Sequence, residues 1–220
     1  MKKTLQIGNI IALVITIFIN YLSNTGALNN TTIGEVSNSY RSLFTPAGYT
    51  FAIWGVIYLL LIGFAIYQGR SLFKEVKNDD VVLKTGWWFM LSCLFNSLWV
   101  FAWIYEYTAV SCVFIFLLLF SLLKIVVNNR MELDDEPLPI IAFVWWPFVM
   151  YSGWVTVASI ANVSTYLVKI GWDGFGLSNV TWTILLIAIA VVINLVVTWE
   201  RNMREFALVG MVLRTVILVR

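Results

Sequence analysis

The sequence predicts an all-α chain folded as a polytopic transmembrane helical bundle, and three observations carry that prediction. Of its 220 residues 60% are hydrophobic and only 12% charged, roughly half the charged share of an average soluble chain. Mean hydropathy is +0.86. Apolar runs of about 20 residues, the length that crosses a bilayer, recur along the whole chain between short polar connectors. A soluble core of this size cannot hide so much apolar surface, so lipid must be the solvent for most of it.

The first run is Ile7–Ser23. Met1-Lys2-Lys3 ahead of it imitates the start of a signal peptide, but the run continues through Tyr21 and Leu22 and no small-residue cleavage pattern closes it. It is therefore read as a span. A polar stretch of about twenty residues follows, rich in Asn, Thr and Ser, a length typical of a lid or binding element, or else of a disordered connector. Thr45-Pro46 reads as an N-cap and first helical residue that open the second span.

The second run is Tyr49–Gln68, the third Gly86–Tyr105, the fourth Thr108–Asn128, the fifth Pro139–Val168 and the sixth Thr181–Glu200. A last run, Phe206–Val219, is shorter and contains Arg214, and reads either as a seventh helix or as an interfacial segment.

With the N-terminus inside, one side of the membrane holds Lys2, Lys3, Arg70, Lys74, Lys77, Lys84, Lys124, Arg130, Arg201 and Arg204. The other holds Arg41 and Lys169. That asymmetry predicts a cytoplasmic N-terminus. Asn29, Asn30 and Asn179 begin glycosylation sequons on the external side, but nothing else points to a eukaryotic secretory setting. The expected location is the bacterial cytoplasmic membrane.

Composition also narrows the chemistry. There is no His, which removes the commonest general base and metal ligand. Cys93 and Cys112 lie in apolar runs and are read as small core residues rather than a disulfide pair. No residue pattern requires a cofactor, and no catalytic constellation is visible, so the chain is not expected to be an enzyme. A net charge of +2 and the lack of a basic stripe interleaved with aromatics argue against nucleic acid as a partner.

Eleven Trp, nine Tyr and fifteen Phe are many for this length. Trp87, Trp88, Trp172, Trp182 and Trp199 fall at span ends, where amphipathic rings anchor at the interface. Trp54, Trp99, Trp103 and Trp154 fall inside spans. In the fifth span Pro147, Tyr151, Trp154, Ala158 and Asn162 share one helix face. Asn96, Trp99 and Trp103 do so in the third, and Phe51, Trp54 and Tyr58 in the second. Any one stripe serves equally well as a packing seam. Three together, two of them carrying an Asn, are read as the walls of a small-molecule cavity.

These stripes resemble the motifs of the TspO/MBR family of translocator and tryptophan-rich sensory proteins. The resemblance lies in Phe44-Thr45-Pro46 through Trp54-Gly55-Val56-Ile57-Tyr58, in Asn96-Ser97-Leu98-Trp99, and in Trp154-Val155-Thr156-Val157-Ala158-Ser159-Ile160-Ala161-Asn162. It implies a five-helix membrane domain over residues 1–168, often dimeric, with the first loop as its cover. Residues 169–220 would then be an addition of one or two helices, as in an enlarged, distant branch. It also implies binding of a planar hydrophobic ligand, a porphyrin or other tetrapyrrole or a sterol-like molecule. A permissive sterol pattern fits Val163, Tyr166 and Lys169.

The expected function is thus a membrane sensory or translocator-like protein whose partners are the bilayer, a hydrophobic small molecule and a second copy of itself. The site residues are Trp54, Tyr58, Asn96, Trp99, Trp103, Pro147, Tyr151, Trp154, Ala158 and Asn162. Small-molecule transport is the alternative, although the spans show no ionisable relay beyond Lys124, Glu106 and Arg214 at their margins. Light-driven porphyrin breakdown, attributed to some relatives, is a third.

Overall fold

The computed structural model describes residues 1–40, 50, 52–76 and 80–201. Within them the chain is helical throughout its apolar runs. Helix α1 is Lys2–Asn24, α2 Ile33–Ser39, α3 Ile53–Gly69, α4 Val81–Thr85, α5 Trp88–Ile104 and α6 Thr108–Asn128. A helical turn α7, Leu138–Ile140, runs through a π-helical segment, Ile141–Trp145, into α8, Trp146–Lys169, and α9 is Asn179–Arg201.

The long helices close into a ring: α1 packs on α3, α3 on α8, α8 on α6, α6 on α5 and α5 back on α1. This is the five-helix core, and α9 packs against α8 outside it. Helices α1, α3, α6 and α8 with its preceding turn are long and apolar enough to cross a membrane, while α5 has 17 residues. At 1.5 Å per residue that is about 26 Å, still within the usual range for a span.

Large apolar side chains point out of the ring and stay exposed, among them Phe18, Leu59, Ile66, Val113 and Phe116. Exposure on that scale is stable only where lipid covers it. Inside, Phe64, Phe89 and Phe148 from α3, α5 and α8 meet edge-on with centroids 4.8–5.6 Å apart, an arrangement aromatic rings favour. Gly8 lets α1 approach α5 closely, since a Cβ there would sit 2.6 Å from the Met90 sulfur.

The fifth span departs from a plain helix at Pro147. Proline has no N–H to donate and its ring crowds the carbonyl four residues earlier. The five residues before Trp146 widen into π-helix, which shifts the register ahead of the ring.

The described part of the polar stretch after α1, residues 25–40, packs against the bundle. Thr32 and Glu35 form a reciprocal capping box that starts α2, and Ile33 and Val36 of that helix are buried in the core. The expected Thr45-Pro46 helix start, Phe51 of the second-span stripe, and the Phe206–Val219 run lie outside the described residues.

The tryptophans at the span ends have the following surroundings. Trp87 is exposed, and Trp88 lies 5.8 Å under the Lys124 ammonium. Trp172 and Trp182 pack together at 4.8 Å, and the Trp182 indole donates to the Gly174 carbonyl. The side chain of Trp199 is not among those described.

Candidate functional site

Three helices bring the inward aromatics to one place. Trp54, in the first turn of α3, stacks on Tyr58 at 5.7 Å, and meets Trp99 of α5 at 6.1 Å. From α8, Tyr151 and Trp154 present their edges to it at 5.8 and 6.2 Å. Trp99 in turn stacks on Trp103 at 5.9 Å.

Hydrogen bonds between helices fix the polar members. Asn96 donates to the Tyr151 hydroxyl at 2.8 Å and accepts from the Asn20 amide at 2.8 Å. The Trp99 indole donates to Asn162 Oδ1 at 2.7 Å. Asn162 donates onward to Ser111 Oγ at 2.8 Å and to the Cys112 sulfur at 3.1 Å. The Trp103 indole donates to the Ile33 carbonyl at 3.1 Å, and Asn29 donates to the Ile104 carbonyl at 3.0 Å. Helix α2 and the turn before it are thereby tied to the C-terminal end of α5.

Trp54, Trp99, Trp103, Trp154, Ala158 and Asn162 line a common cavity, closed over by Ser37 of α2. Tyr58, Asn96 and Tyr151 adjoin it through Trp54 and the hydrogen bonds above. Pro147 is buried in the first turn of α8 but does not line the cavity. The sterol-pattern residues lie elsewhere: Val163 and Tyr166 are half-buried, Lys169 is exposed, and none lines the cavity.

The cavity measures about 30 Å³. Sites for drug-sized ligands hold roughly 300–1,000 Å³, and one water takes up about 30 Å³. The three stripes therefore meet as a packed aromatic cluster rather than around an open chamber. The reason is that Trp54 fills the space between α5 and α8 with its own ring.

Two buried polar atoms in this cluster, Trp54 Nε1 and Tyr58 Oη, have no hydrogen-bond partner among the described residues. Buried donors in proteins are nearly always paired. Asn20 Oδ1, beside Asn96, is a third such atom. Among the described residues no group of three His, Cys, Asp or Glu is gathered that could hold a metal. Cys93 and Cys112 are free thiols.

At the outer rim, Tyr40 just after α2 donates to the Glu106 carboxylate. Glu106 occupies the turn between α5 and α6 with φ at +59°, and Lys169 sits 3.6 Å from its carboxylate and 5.4 Å over the Tyr40 ring. The hydrogen bond to Glu106, with burial second, holds the Tyr40 hydroxyl above its ordinary pKa.

The residues that sequence reasoning missed are on α1. Gln6, Asn9, Thr16, Asn20 and Ser23 are all buried. They form one polar stripe facing α3 and α5, with Asn9 donating to Gln68 at 2.9 Å and Thr16 to the Cys93 carbonyl at 3.1 Å. Their steps of three, seven, four and three are the same helical signature that marked the aromatic stripes.

The ring of five helices and the Asn–Trp pairing stand at the positions of the family motifs, and residues 6–219 match the family model described as TSPO-like protein. The chain belongs to the TSPO-like family. The match takes in the segments after residue 168 as well as the five-helix core. The protein is accordingly a TspO-type integral membrane protein. No curated protein and no solved structure matches the chain.

Proposed function

We propose that this TSPO-like protein binds a planar hydrophobic ligand, a tetrapyrrole or sterol-like molecule, between α3, α5 and α8, and acts as a sensory or translocator-like protein rather than as an enzyme. The observation that carries the reading is Trp54. Its ring touches four aromatic rings from three helices, yet its buried N–H has no partner among the described residues. A flat ligand entering beside Trp54 would exchange ring–ring contacts for ligand–ring contacts and give that N–H and the Tyr58 hydroxyl an acceptor. Because the cavity is small, binding requires the cluster to part, with α2 and the Tyr40–Glu106–Lys169 contacts as the cover that moves.

Lys2, Lys3, Arg70 and Lys74 gather at one end of the bundle and Lys169 lies at the other, which supports a cytoplasmic N-terminus by the positive-inside rule. A bacterial cytoplasmic membrane and a homodimer belong to the same reading. The test is quenching of Trp fluorescence by protoporphyrin. The wild type should quench, and Trp154→Ala should weaken the effect. No quenching above a detergent blank contradicts the proposal.

The buried polar stripe of α1 favours a second reading, transport of a small molecule. It lines the α1–α3–α5 seam from Gln6 to Ser23 with amides and hydroxyls. Solute flux in proteoliposomes driven by a proton or sodium gradient would select transport over ligand sensing.

A further inference from the structure

A hollow of about 860 Å³ lies away from the aromatic cluster, on the outer side of the bundle between α1 and α3. Its walls are apolar, with Ile10, Val14 and Phe18 on one helix facing Ile62 and Ile66 on the other. Arg70, Leu72 and Phe73 line one end. Leu72 and Phe73 also line a second hollow, of about 690 Å³, together with Lys2, Lys3, Ser71, Lys74 and Glu75. An apolar trough therefore opens at one end into a basic basin.

The dimensions and charges are specific. Along α1 the trough runs from Ile10 to Tyr21, about 17 Å at 1.5 Å per residue. At the junction the Arg70 guanidinium lies 3.5 Å over the Tyr67 ring. Its Nε is buried without a hydrogen-bond partner among the described residues. Lys3, Arg70 and Lys74 have no carboxylate partner among the described residues, and Glu75 is the acidic residue in the basin lining. The floor behind them is pinned, since Gln6 donates to Ser71 Oγ at 2.7 Å and Asn9 to Gln68 at 2.9 Å.

We propose that trough and basin together form a binding site for an anionic phospholipid of the leaflet at the α1 start. Its acyl chains lie between α1 and α3, and its phosphate meets Arg70 with Lys3 and Lys74. Charge complementarity selects this occupant. A zwitterionic lipid brings an ammonium group toward the same cations, and a second copy docked through the same face brings a second basic basin.

The test uses the full-length protein in detergent, titrated with phosphatidylglycerol or with phosphatidylcholine of the same acyl chains, and counts retained lipids by native mass spectrometry. The expected result is a phosphatidylglycerol preference of about 25-fold, falling by roughly fivefold for each cation removed, so that Arg70→Gln/Lys74→Gln binds both lipids alike. Lys74→Arg should keep the preference, and Ile66→Trp, which fills the trough, should lower retention of both lipids. Equal retention by the wild type, or a preference that survives Arg70→Gln/Lys74→Gln in a variant with an unchanged thermal melt, overturns the proposal. So does Ile66→Cys cross-linking between chains that phosphatidylglycerol does not suppress, which would make the trough a protein interface.

Discussion

The Trp99 indole N–H donates to Asn162 Oδ1 at 2.7 Å, joining α5 to α8 across the interior of the ring. Asn162 spends its amide protons on Ser111 and Cys112 of α6, so one side chain ties three helices together.

Asn162→Ala should therefore cost more than a typical membrane hydrogen bond. Single interhelical bonds in membranes average about 0.6 kcal/mol, but this change strands the Trp99 N–H in the interior, while the Ser111 hydroxyl keeps its own bond to the Thr108 carbonyl. The expected loss is about 1–3 kcal/mol. The double variant Trp99→Phe/Asn162→Leu should lose less than the sum of its single changes, because both ends of the bond become apolar. Reversible unfolding in mixed micelles measures each value.

Trp103→Phe keeps an aromatic ring beside Trp99 but removes the donor to the Ile33 carbonyl. The expected cost is about 0.5–1.5 kcal/mol, concentrated in the segment around α2. Hydrogen exchange over residues 25–40 should quicken while that of α6 stays unchanged. Uniform quickening would place Trp103 in the global core instead.

The Tyr40 link gives a pH dependence with a definite sign. The folded-state pKa of Tyr40 is raised, chiefly by its hydrogen bond to Glu106. Its contribution is complete below the unfolded value of about 10 and is lost as pH rises through the folded value. Closure of α2 over the rim should weaken in that alkaline window, read as faster proteolysis of the first loop. Tyr40→Phe should abolish the pH dependence and show an elevated rate at neutral pH.

Much of this architecture was legible in the residues, and what escaped did so for physical reasons. The burial of Trp54, Trp99 and Trp154 was legible because large aromatics at helical spacing inside apolar runs mark an inward face, whether that face is a packing seam or a cavity wall. Gln6, Asn9, Thr16 and Asn20 carry an equally regular spacing, but polar residues near a terminus look like solvated positions until a partner such as Gln68 or Asn96 is seen opposite them. The capping pair Thr32 and Glu35 was similarly readable as a helix start within a polar stretch. The closure of the cavity was not, since it depends on the side-chain torsions of Trp54 and on which ring fills the gap, neither of which periodicity encodes. The π-helical turn before Pro147 follows from the missing N–H of that ring, although proline alone does not say whether a helix breaks, kinks or widens.

Ligand binding at this site requires the aromatic cluster to part and admit a flat molecule. Ala158 lines the cavity beside Trp54 and Trp154, and Ala158→Leu adds volume there at an expected cost of about 1–3 kcal/mol. The deciding measurement is a protoporphyrin titration of Trp fluorescence on the wild type and on Ala158→Leu, each first shown to be folded by its thermal melt. Saturable quenching in the wild type, weakened at least tenfold in Ala158→Leu, is the predicted result. Equal quenching in both proteins would mean that the ligand binds elsewhere, and would contradict it.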